Sequence, residues 1–270
     1  MNNQSTVFHV THYKAGSQWV RAVLSHCAPE RIVQPEPRVA HFFDQPIRPG
    51  GIYPTVYVSK LEFDQVMSHR TRFAAPSIKG EISRPRSLMA ANLVNFRILR
   101  QPHKKFVVIR DLRDTLVSLY FSAKFSHPVI NELVERRRGR LHSMDEDQGL
   151  MMLMDRDIPQ NAGIQTSRID SGTLVIKYED LLSDEYAAFE HIVDYCGISV
   201  DRQRLHQVIY NNSFEVISGR QPGQEDVNAH QRKGIAGDWR NYFSHKVKEE
   251  FKKRFGDVLI KTGYEKDLKW

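Results

Sequence analysis

Short runs of apolar and β-branched residues alternate along this chain with segments of helical periodicity. Most of these runs are continuously apolar, as is typical of strands that are buried on both faces of a parallel sheet. Such alternation predicts an α/β fold with a central parallel sheet flanked by helices. The predicted strands are Val7–Val10, Thr55–Ser59, Phe106–Ile109 and Thr173–Lys177, and the predicted helices are Ser17–His26, Asp114–Phe125, Asp184–Cys196, Arg202–Tyr210 and Lys246–Arg254.

The chain is basic, with a formal net charge of +7. A surplus of positive charge suits either a nucleic acid or an anionic ligand that is held in a basic cleft. The sequence contains no zinc-finger, RNP-type or DNA-reading motif. We therefore expect an anionic small molecule rather than a nucleic-acid partner.

Targeting and redox features predict a cytoplasmic protein. The N-terminus MNNQSTVFHV lacks the basic and apolar regions of a signal peptide, and no apolar run is long enough to span a membrane. Cys27 and Cys196 lie in helical patterns without CxxC spacing, so we expect two reduced thiols in the core.

The segment from Lys14 to Trp19, KAGSQW, joins the first predicted strand to the first predicted helix. A strand, a tight turn and a helix N-terminus together form an anion site. The segment does not match the nucleotide P-loop G-x-x-x-x-G-K-[ST], because it has one glycine and Lys14 precedes that glycine. Taken alone, this hexapeptide is better explained as an ordinary strand-to-helix turn with a solvated lysine than as an anion site.

Two further motifs place basic and small polar residues where the chain changes direction. The run RDLRD begins at Arg110, directly after a predicted strand, and Asp114 is the expected N-cap of a helix that carries Ser118. The run RKGIAGDW begins at Arg232, near the C-terminus. Both motifs are therefore further candidates for anion binding.

In this order, the three motifs resemble those of the sulfotransferases that use 3′-phosphoadenosine 5′-phosphosulfate. The opening loop is similar to the family's Tyr-Pro-Lys-Ser-Gly-Thr-Thr-Trp, and RKGIAGDW is nearly identical to the family's Arg-Lys-Gly-x-x-Gly-Asp-Trp. The run YEDL, which begins at Tyr178, also matches. The resemblance extends from residue 7 to about residue 245, and it implies one P-loop-like sulfotransferase domain over residues 1–270.

The resemblance implies a role for each matching position. Lys14 corresponds to the lysine at the 5′-phosphate and the bridging oxygen, and Arg110 and Ser118 correspond to ligands of the 3′-phosphate. Trp19 and Tyr178 correspond to adenine contacts. The other implied nucleotide-binding positions are Ala15, Gly16, Ser17 and Gln18 in the loop, Ser213 and Phe214 at the adenine, and Arg232, Lys233 and Gly234 at the 3′-phosphate.

We expect the sulfuryl transfer to need no metal ion. The sequence has no carboxylate cluster beside the loop, and Lys14, Arg110, Arg232 and Lys233 offer fixed positive charge. Preorganised charge at the bridging oxygen is usually the largest catalytic contribution. By analogy with phosphoryl transfer, an in-line displacement is expected, which yields adenosine 3′,5′-bisphosphate.

The general base departs from the family's pattern. Relatives often carry Lys-Thr-His after the second strand, whereas this chain has no histidine there. His127 matches a position that lines the acceptor pocket in relatives, and it is the first candidate because it follows the predicted phosphate-binding helix and is expected to face the acceptor. An imidazole titrates near working pH, which suits a general base. Lys60 is the second candidate, and Glu62, His12 and His41 stay open.

Two irregular stretches, residues 70–105 and 218–237, are expected to form lids or acceptor-side elements. Without nucleotide, we expect Arg232 and Lys233 to face one another with no anion between them, which would leave the second stretch open and mobile. The acceptor is expected to be a hydroxyl or amine of a small molecule or glycan. The alternatives are a P-loop-like nucleotide kinase and a non-enzymatic binder of polyanions or nucleic acids, and the oligomeric state stays open.

Overall fold

The computed structural model describes residues 4–34, 47–68, 103–169 and 172–270. These residues contain a sheet of four parallel strands, and its order is the second strand, then the first, the third and the fourth. The strands are β1 (Thr6–Thr11), β2 (Ile52–Val56), β3 (His103–Ile109) and β4 (Leu174–Lys177).

The strand β2 begins three residues before the predicted start. It contains Pro54, which has no N–H for a sheet hydrogen bond, and β2 lies at an edge of the described sheet. The pairing of β1 with β2 is irregular between Phe8 and Val10. There, Nδ1 of the buried His9 donates to the Pro54 carbonyl at 2.6 Å, so a side chain supplies a contact where the backbone pairing is interrupted.

Helices follow or separate the strands, which confirms the predicted α/β fold. The helix α3 begins earlier than predicted, because Asp111 and not Asp114 is its N-cap and accepts from the Arg113 N–H at 2.9 Å. The helices are α1 (Ser17–Cys27), α2 (Lys60–Ser68), α3 (Leu112–Phe121), α4 (Glu132–His142), α5 (Glu146–Arg156), α6 (Ile158–Thr166), α7 (Tyr178–Ser183), α8 (Glu185–Cys196), α9 (Arg202–Asn211), α10 (Phe214–Ser218) and α11 (His245–Lys261).

Apolar residues of the sheet are buried on both faces. Successive residues of β3 point to opposite faces. Phe106 and Val108 pack in one cluster with residues of α1, α8 and α9, whereas Val107 and Ile109 pack in another with Phe63 of α2. This two-sided burial explains the continuous apolar run in the sequence. Among the described helices, none is both long and apolar enough to cross a membrane.

A buried ion cluster joins the start of α3 to the C-terminal part of the chain. Arg113 is only 2% exposed, and its guanidinium lies 2.7 Å from Asp111 and 2.6 Å from Glu265. The guanidinium also lies 4.1 Å from the ring centre of Trp239 and 4.4 Å from that of Trp270. Because α3 follows β3 directly, the cluster anchors the RKGIAGDW region near the end of a central strand.

We expect Arg113→Met to lower the free energy of unfolding by about 3–5 kcal/mol, because it leaves the carboxylates of Asp111 and Glu265 without their buried partner. Denaturant unfolding of the purified variant measures this loss. The control is Arg136→Met, whose side chain is 70% exposed and pairs with Glu132 on the surface. That variant should change stability by less than about 1 kcal/mol. Equal losses of unfolding free energy in the two variants would contradict the structural role of the buried Arg113 cluster.

Candidate active site

The loop between β1 and α1 has left-handed backbone at two positions. Lys14 has φ of +66° and Gly16 has φ of +78°, and Lys14 is the one non-glycine residue with positive φ in the described part of the chain. A Cβ at Gly16 would lie 2.7 Å from a ring carbon of Tyr178, so only glycine fits. The conformation of Lys14 costs about 1–2 kcal/mol, and such strain is characteristic of functional sites.

The ammonium of Lys14 lies in a positively charged environment. Burial, and then the nearby charges of Arg110 and Arg232, lower the pKa of Lys14 to about 8. Within the described ranges, no carboxylate forms an ion pair with this ammonium. A negatively charged ligand at the loop would therefore relieve repulsion rather than compete with an acidic side chain.

Arg110, which directly follows β3, joins three parts of the site. Its guanidinium donates to the Lys14 carbonyl at 3.1 Å and to the Ile235 carbonyl at 3.4 Å. It also lies 4.5 Å from the ring centre of Tyr178. The loop at Lys14 and the RKGIAGDW region thus meet at a guanidinium whose buried Nε has no hydrogen-bond partner among the described residues.

His12 and Gln165 fix the backbone beneath Lys14 and Arg110. The fully buried His12 donates from Nδ1 to the Tyr13 carbonyl at 2.9 Å and accepts at Nε2 from the Arg110 N–H at 3.1 Å. The Gln165 amide nitrogen lies 2.6 Å from the same Nε2 and donates to the Arg110 carbonyl at 2.6 Å. Burial lowers the pKa of His12 to about 3. His12 is therefore a neutral structural group rather than a general base.

The cations of the RKGIAGDW region have an acidic partner. Arg232 and Lys233 both pair with Asp238, which is 2% exposed, and Lys233 Nζ lies 2.7 Å from its Oδ1. The expectation that these cations face one another with no intervening anion is therefore wrong. The guanidinium of Arg220 donates to the carbonyls of Gln224 at 2.7 Å and Arg232 at 2.8 Å, so hydrogen bonds already brace this stretch.

Two of the residues that are predicted to contact adenine, Trp19 and Phe214, are packed against other groups of the protein. Trp19 meets Tyr178 edge to face at a ring separation of 6.4 Å and Phe189 at 5.4 Å. A Cβ at Gly234, where φ is +66°, would lie 2.6 Å from a ring carbon of Phe214. Gly234, the first glycine of RKGIAGDW, therefore packs directly on the Phe214 ring.

The other predicted nucleotide residues lie at helix starts or on helices. Ala15 and Ser17 are buried, and Gln18 is exposed in the first turn of α1. Ser118 is partly buried on α3. Ser213 is buried and caps α10 by accepting from the Val216 N–H.

The predicted base His127 follows a π-helical turn, Ser122–Ser126, and the residue is largely exposed. Partial burial and the positive charges of Lys14, Arg138 and Arg137 lower its pKa. Burial, Lys14 and His127 similarly lower the pKa of His230, a residue that sequence reasoning missed. Its position two residues before Arg232 was the available signal.

The other predicted bases are less suitable or lie outside the described residues. Lys60 begins α2, and its ammonium lies 2.5 Å from Asp64. An ammonium held by a carboxylate is a proton donor rather than an acceptor. Glu62 accepts from the Ser59 N–H at 2.7 Å, where it supports the start of α2. His41 and residues 70–102 of the first irregular stretch lie outside the described residues.

Tyr57 is a second neighbour of the loop that sequence reasoning missed. Its hydroxyl lies 2.9 Å from the hydroxyl of Ser17, at the N-terminus of α1. Its ring stacks on Tyr13 with a centre separation of 4.4 Å. Because the sheet places the ends of β1 and β2 side by side, the residue after β2 reaches the loop after β1.

The fold and the strand–loop–helix unit at Lys14 define the class of the protein, an α/β protein with a P-loop-like domain. The sequence profile of the sulfotransferase domain matches residues 4–263. The chain therefore belongs to the sulfotransferase family.

Curated relatives match the chain over shorter segments. It is 32% identical over 103 residues to flavonol sulfotransferase-like from Flaveria bidentis, a match that covers 33% of this chain and 33% of that protein. It is 28% identical over 106 residues to human sulfotransferase 2A1, covering 36% of this chain and 37% of that one. The matched segments thus span about a third of each relative's length.

Two solved structures show the same fold. Mouse sulfotransferase SULT7A1, complexed with PAP, aligns with a TM-score of 0.60 at 16% identity and covers 100% of this chain and 88% of that one. Retinol dehydratase, in complex with androsterone and inactive cofactor PAP, aligns with a TM-score of 0.52 at 17% identity and covers 94% and 80%. At these identities the likeness concerns the fold.

Proposed function

We propose that this protein transfers a sulfuryl group from 3′-phosphoadenosine 5′-phosphosulfate to a hydroxyl or amine of a small molecule or glycan. The observation that carries the proposal is that Lys14 and Arg110 converge at the N-terminus of α1 without a carboxylate partner in the described residues. A helix N-terminus with unpaired cations favours a bound anion. Membership of the sulfotransferase family supports this donor as the anion.

We assign the two ends of the donor to different parts of the site. Lys14 and the loop after it would bind the 5′-phosphosulfate, because α1 directs its first N–H groups there. Arg110 would bind the 3′-phosphate, since a guanidinium can donate two parallel hydrogen bonds to a phosphate. The remaining donor-binding residues in this proposal are Ala15, Gly16, Ser17, Gln18 and Trp19 in and after the loop, Tyr178, Ser213 and Phe214 at the adenine, and Ser118, Arg232, Lys233 and Gly234 at the 3′-phosphate.

When bound, the donor supplies the sulfuryl group and a phosphate as the leaving group. Lys14 would hold its positive charge beside the bridging oxygen, which gains the electron pair as the sulfur–oxygen bond breaks. His127 would take the proton that the acceptor loses as its oxygen or nitrogen bonds to sulfur. The lowered pKa of His127 supports this role, because it keeps the ring neutral and able to accept a proton near pH 7. We prefer His127 to Lys60, whose ammonium is held by Asp64.

We expect Lys14→Met to reduce turnover by about a hundredfold or more, because one charge contact to the transition state is lost. Transfer of radiolabelled sulfate from the donor to a panel of phenols, alcohols, amines and saccharides measures the rate. The matched control, Lys60→Met, removes an ammonium that is 43% exposed and should keep turnover within about threefold of wild type.

Thermal unfolding should give similar midpoints for both lysine variants, so that the comparison reports on chemistry. Near-normal turnover in Lys14→Met would remove Lys14 from the mechanism. A wild-type protein that transfers sulfate to no acceptor in the panel would favour the non-enzymatic binder.

We expect turnover to survive EDTA, because Lys14, Arg110, Arg232 and Lys233 supply the positive charge that divalent ions supply in kinases. The initial rate is measured after dialysis against EDTA and again after adding back Mg²⁺. The two rates should agree within about twofold. Strict dependence on Mg²⁺ would contradict the metal-free step and favour the kinase alternative.

A further inference from the structure

We infer that Asp114 and Asp238 are positioning residues. In the nucleotide-free protein they hold the side chains of Arg232 and Lys233 at a fixed position relative to Arg110. This inference rests on the proposed function, which places these three cations at the 3′-phosphate. The inference assigns a role to two buried carboxylates that do not themselves contact the nucleotide.

Asp238 holds the two cations through separate oxygen atoms. Its Oδ1 lies 2.7 Å from Lys233 Nζ, and its Oδ2 contacts Arg232 Nη2. Asn241 Nδ2 donates to Oδ1 at 2.8 Å, which fixes the orientation of the carboxylate. Since Asp238 is 2% exposed, water does not screen these pairs effectively. Asp238 thus sets the separation of the two cationic groups.

Asp114 in turn holds the backbone on both sides of Asp238. Its Oδ2 accepts from the Gly237 N–H at 2.6 Å, and its Oδ1 accepts from the Trp239 N–H at 2.9 Å. Asp114 is 2% exposed and lies in the first turn of α3. The two hydrogen bonds leave Asp238 little freedom to move relative to α3.

Together, the carboxylates connect two cation-bearing segments that are far apart in sequence. Arg110 lies four residues before Asp114 and directly after β3. Its guanidinium donates to backbone carbonyls and lies over the Tyr178 ring, and its charge also interacts with that of Asp114. Asp114 docks the RKGIAGDW region onto α3, and Asp238 aims Arg232 and Lys233 from that region. The distance from Arg110 to the other cations therefore depends on both carboxylates.

The charge balance supports a positioning role. Asp238 offsets part of the positive charge of Arg232 and Lys233, which lowers the cost of holding them near Lys14 and Arg110. Glu225 also pairs with Arg232, but its side chain is 29% exposed, compared with 2% for Asp238. Lys14 and Arg110 form no ion pair with a carboxylate among the described residues, so the site keeps affinity for an anion although Asp238 pairs with Arg232 and Lys233.

The test compares adenosine 3′,5′-bisphosphate with adenosine 5′-monophosphate by calorimetry, and the measured quantity is the ratio of their dissociation constants. In Asp238→Asn and in Asp114→Asn, we expect the preference for the bisphosphate to fall by about tenfold or more. Affinity for the monophosphate should stay within about threefold of wild type, because it does not use the 3′-phosphate cations. The matched control is Asp155→Asn, whose side chain is 67% exposed and pairs with Arg254, and it should leave the ratio unchanged.

A combined variant separates positioning from general stability. If Asp238 acts through Arg232 and Lys233, then adding Asp238→Asn to a protein that already carries Arg232→Met and Lys233→Met should cost little further preference. Independent losses that add would overturn the inference. A higher preference in Asp238→Asn would also overturn it, because it would mean that the carboxylate only competes with the phosphate.

Amide hydrogen exchange of the ligand-free protein provides a readout without nucleotide. The N–H groups of Gly237 and Trp239 should exchange slowly in wild type and much faster in Asp114→Ala. Fast exchange in wild type would overturn the inference. A wild-type protein without preference for the bisphosphate would overturn the proposed function as well, whereas a retained preference in the aspartate variants would overturn only the positioning role.

Discussion

The partly buried positive charge at Lys14 is the constraint on which the rest of the site depends. Burial, and then the charges of Arg110 and Arg232, lower the pKa of Lys14 to about 8. The loop holds this lysine in a left-handed conformation, while His12 and Gln165 fix the backbone of Arg110 beside it. Lys14 itself has no ion-paired carboxylate among the described residues, so an anionic ligand at this ammonium would relieve the repulsion.

The two halves of the cationic site are balanced differently. In the RKGIAGDW region, Asp238 neutralises part of the charge of Arg232 and Lys233, and hydrogen bonds to Asp114 dock this region on α3. At the strand ends, Lys14 and Arg110 form no ion pair among the described residues, although the charge of Arg110 interacts with Asp114 and Glu179. The RKGIAGDW half of such a site is already ordered without a ligand. The largest gain in binding free energy is expected where the negative charge of the ligand meets the cations that lack an ion pair. That distribution fits a donor whose chemistry occurs at the Lys14 end.

Sequence patterns predicted the central features because those features are local. Continuous apolar runs follow from strands that are buried on two faces, and the KAGSQW loop follows from the tight turn between β1 and α1. The strand β2 was misplaced because Pro54, usually a strand breaker, is tolerated at the sheet edge. The N-cap of α3 was misplaced because Asp111 and Asp114 are both residue types that cap helices. Only the three-dimensional contacts show that Asp114 instead accepts hydrogen bonds from the Gly237 and Trp239 N–H groups.

The contacts that complete the site could not be predicted, because they join residues that are distant in sequence. The hydrogen bond from Gly237 to Asp114 spans 123 positions, and the contact between Gln165 and His12 spans 153. Periodicity and motif spacing carry no information on such pairs. The same reason explains why the role of His12 and the hydroxyl contact of Tyr57 became visible only in the fold.

The central claim is that an anionic nucleotide relieves the repulsion at Lys14, and proton uptake on binding tests it most directly. Adenosine 3′,5′-bisphosphate is titrated into the protein at pH 8 in two buffers of different ionisation enthalpy. Because the pKa of Lys14 is about 8, roughly half of the free molecules lack this proton, and a bound anion raises the pKa. We predict an uptake of up to about half a proton in wild type that disappears in Lys14→Met. Equal uptake in the two proteins, or none in wild type, would contradict the account.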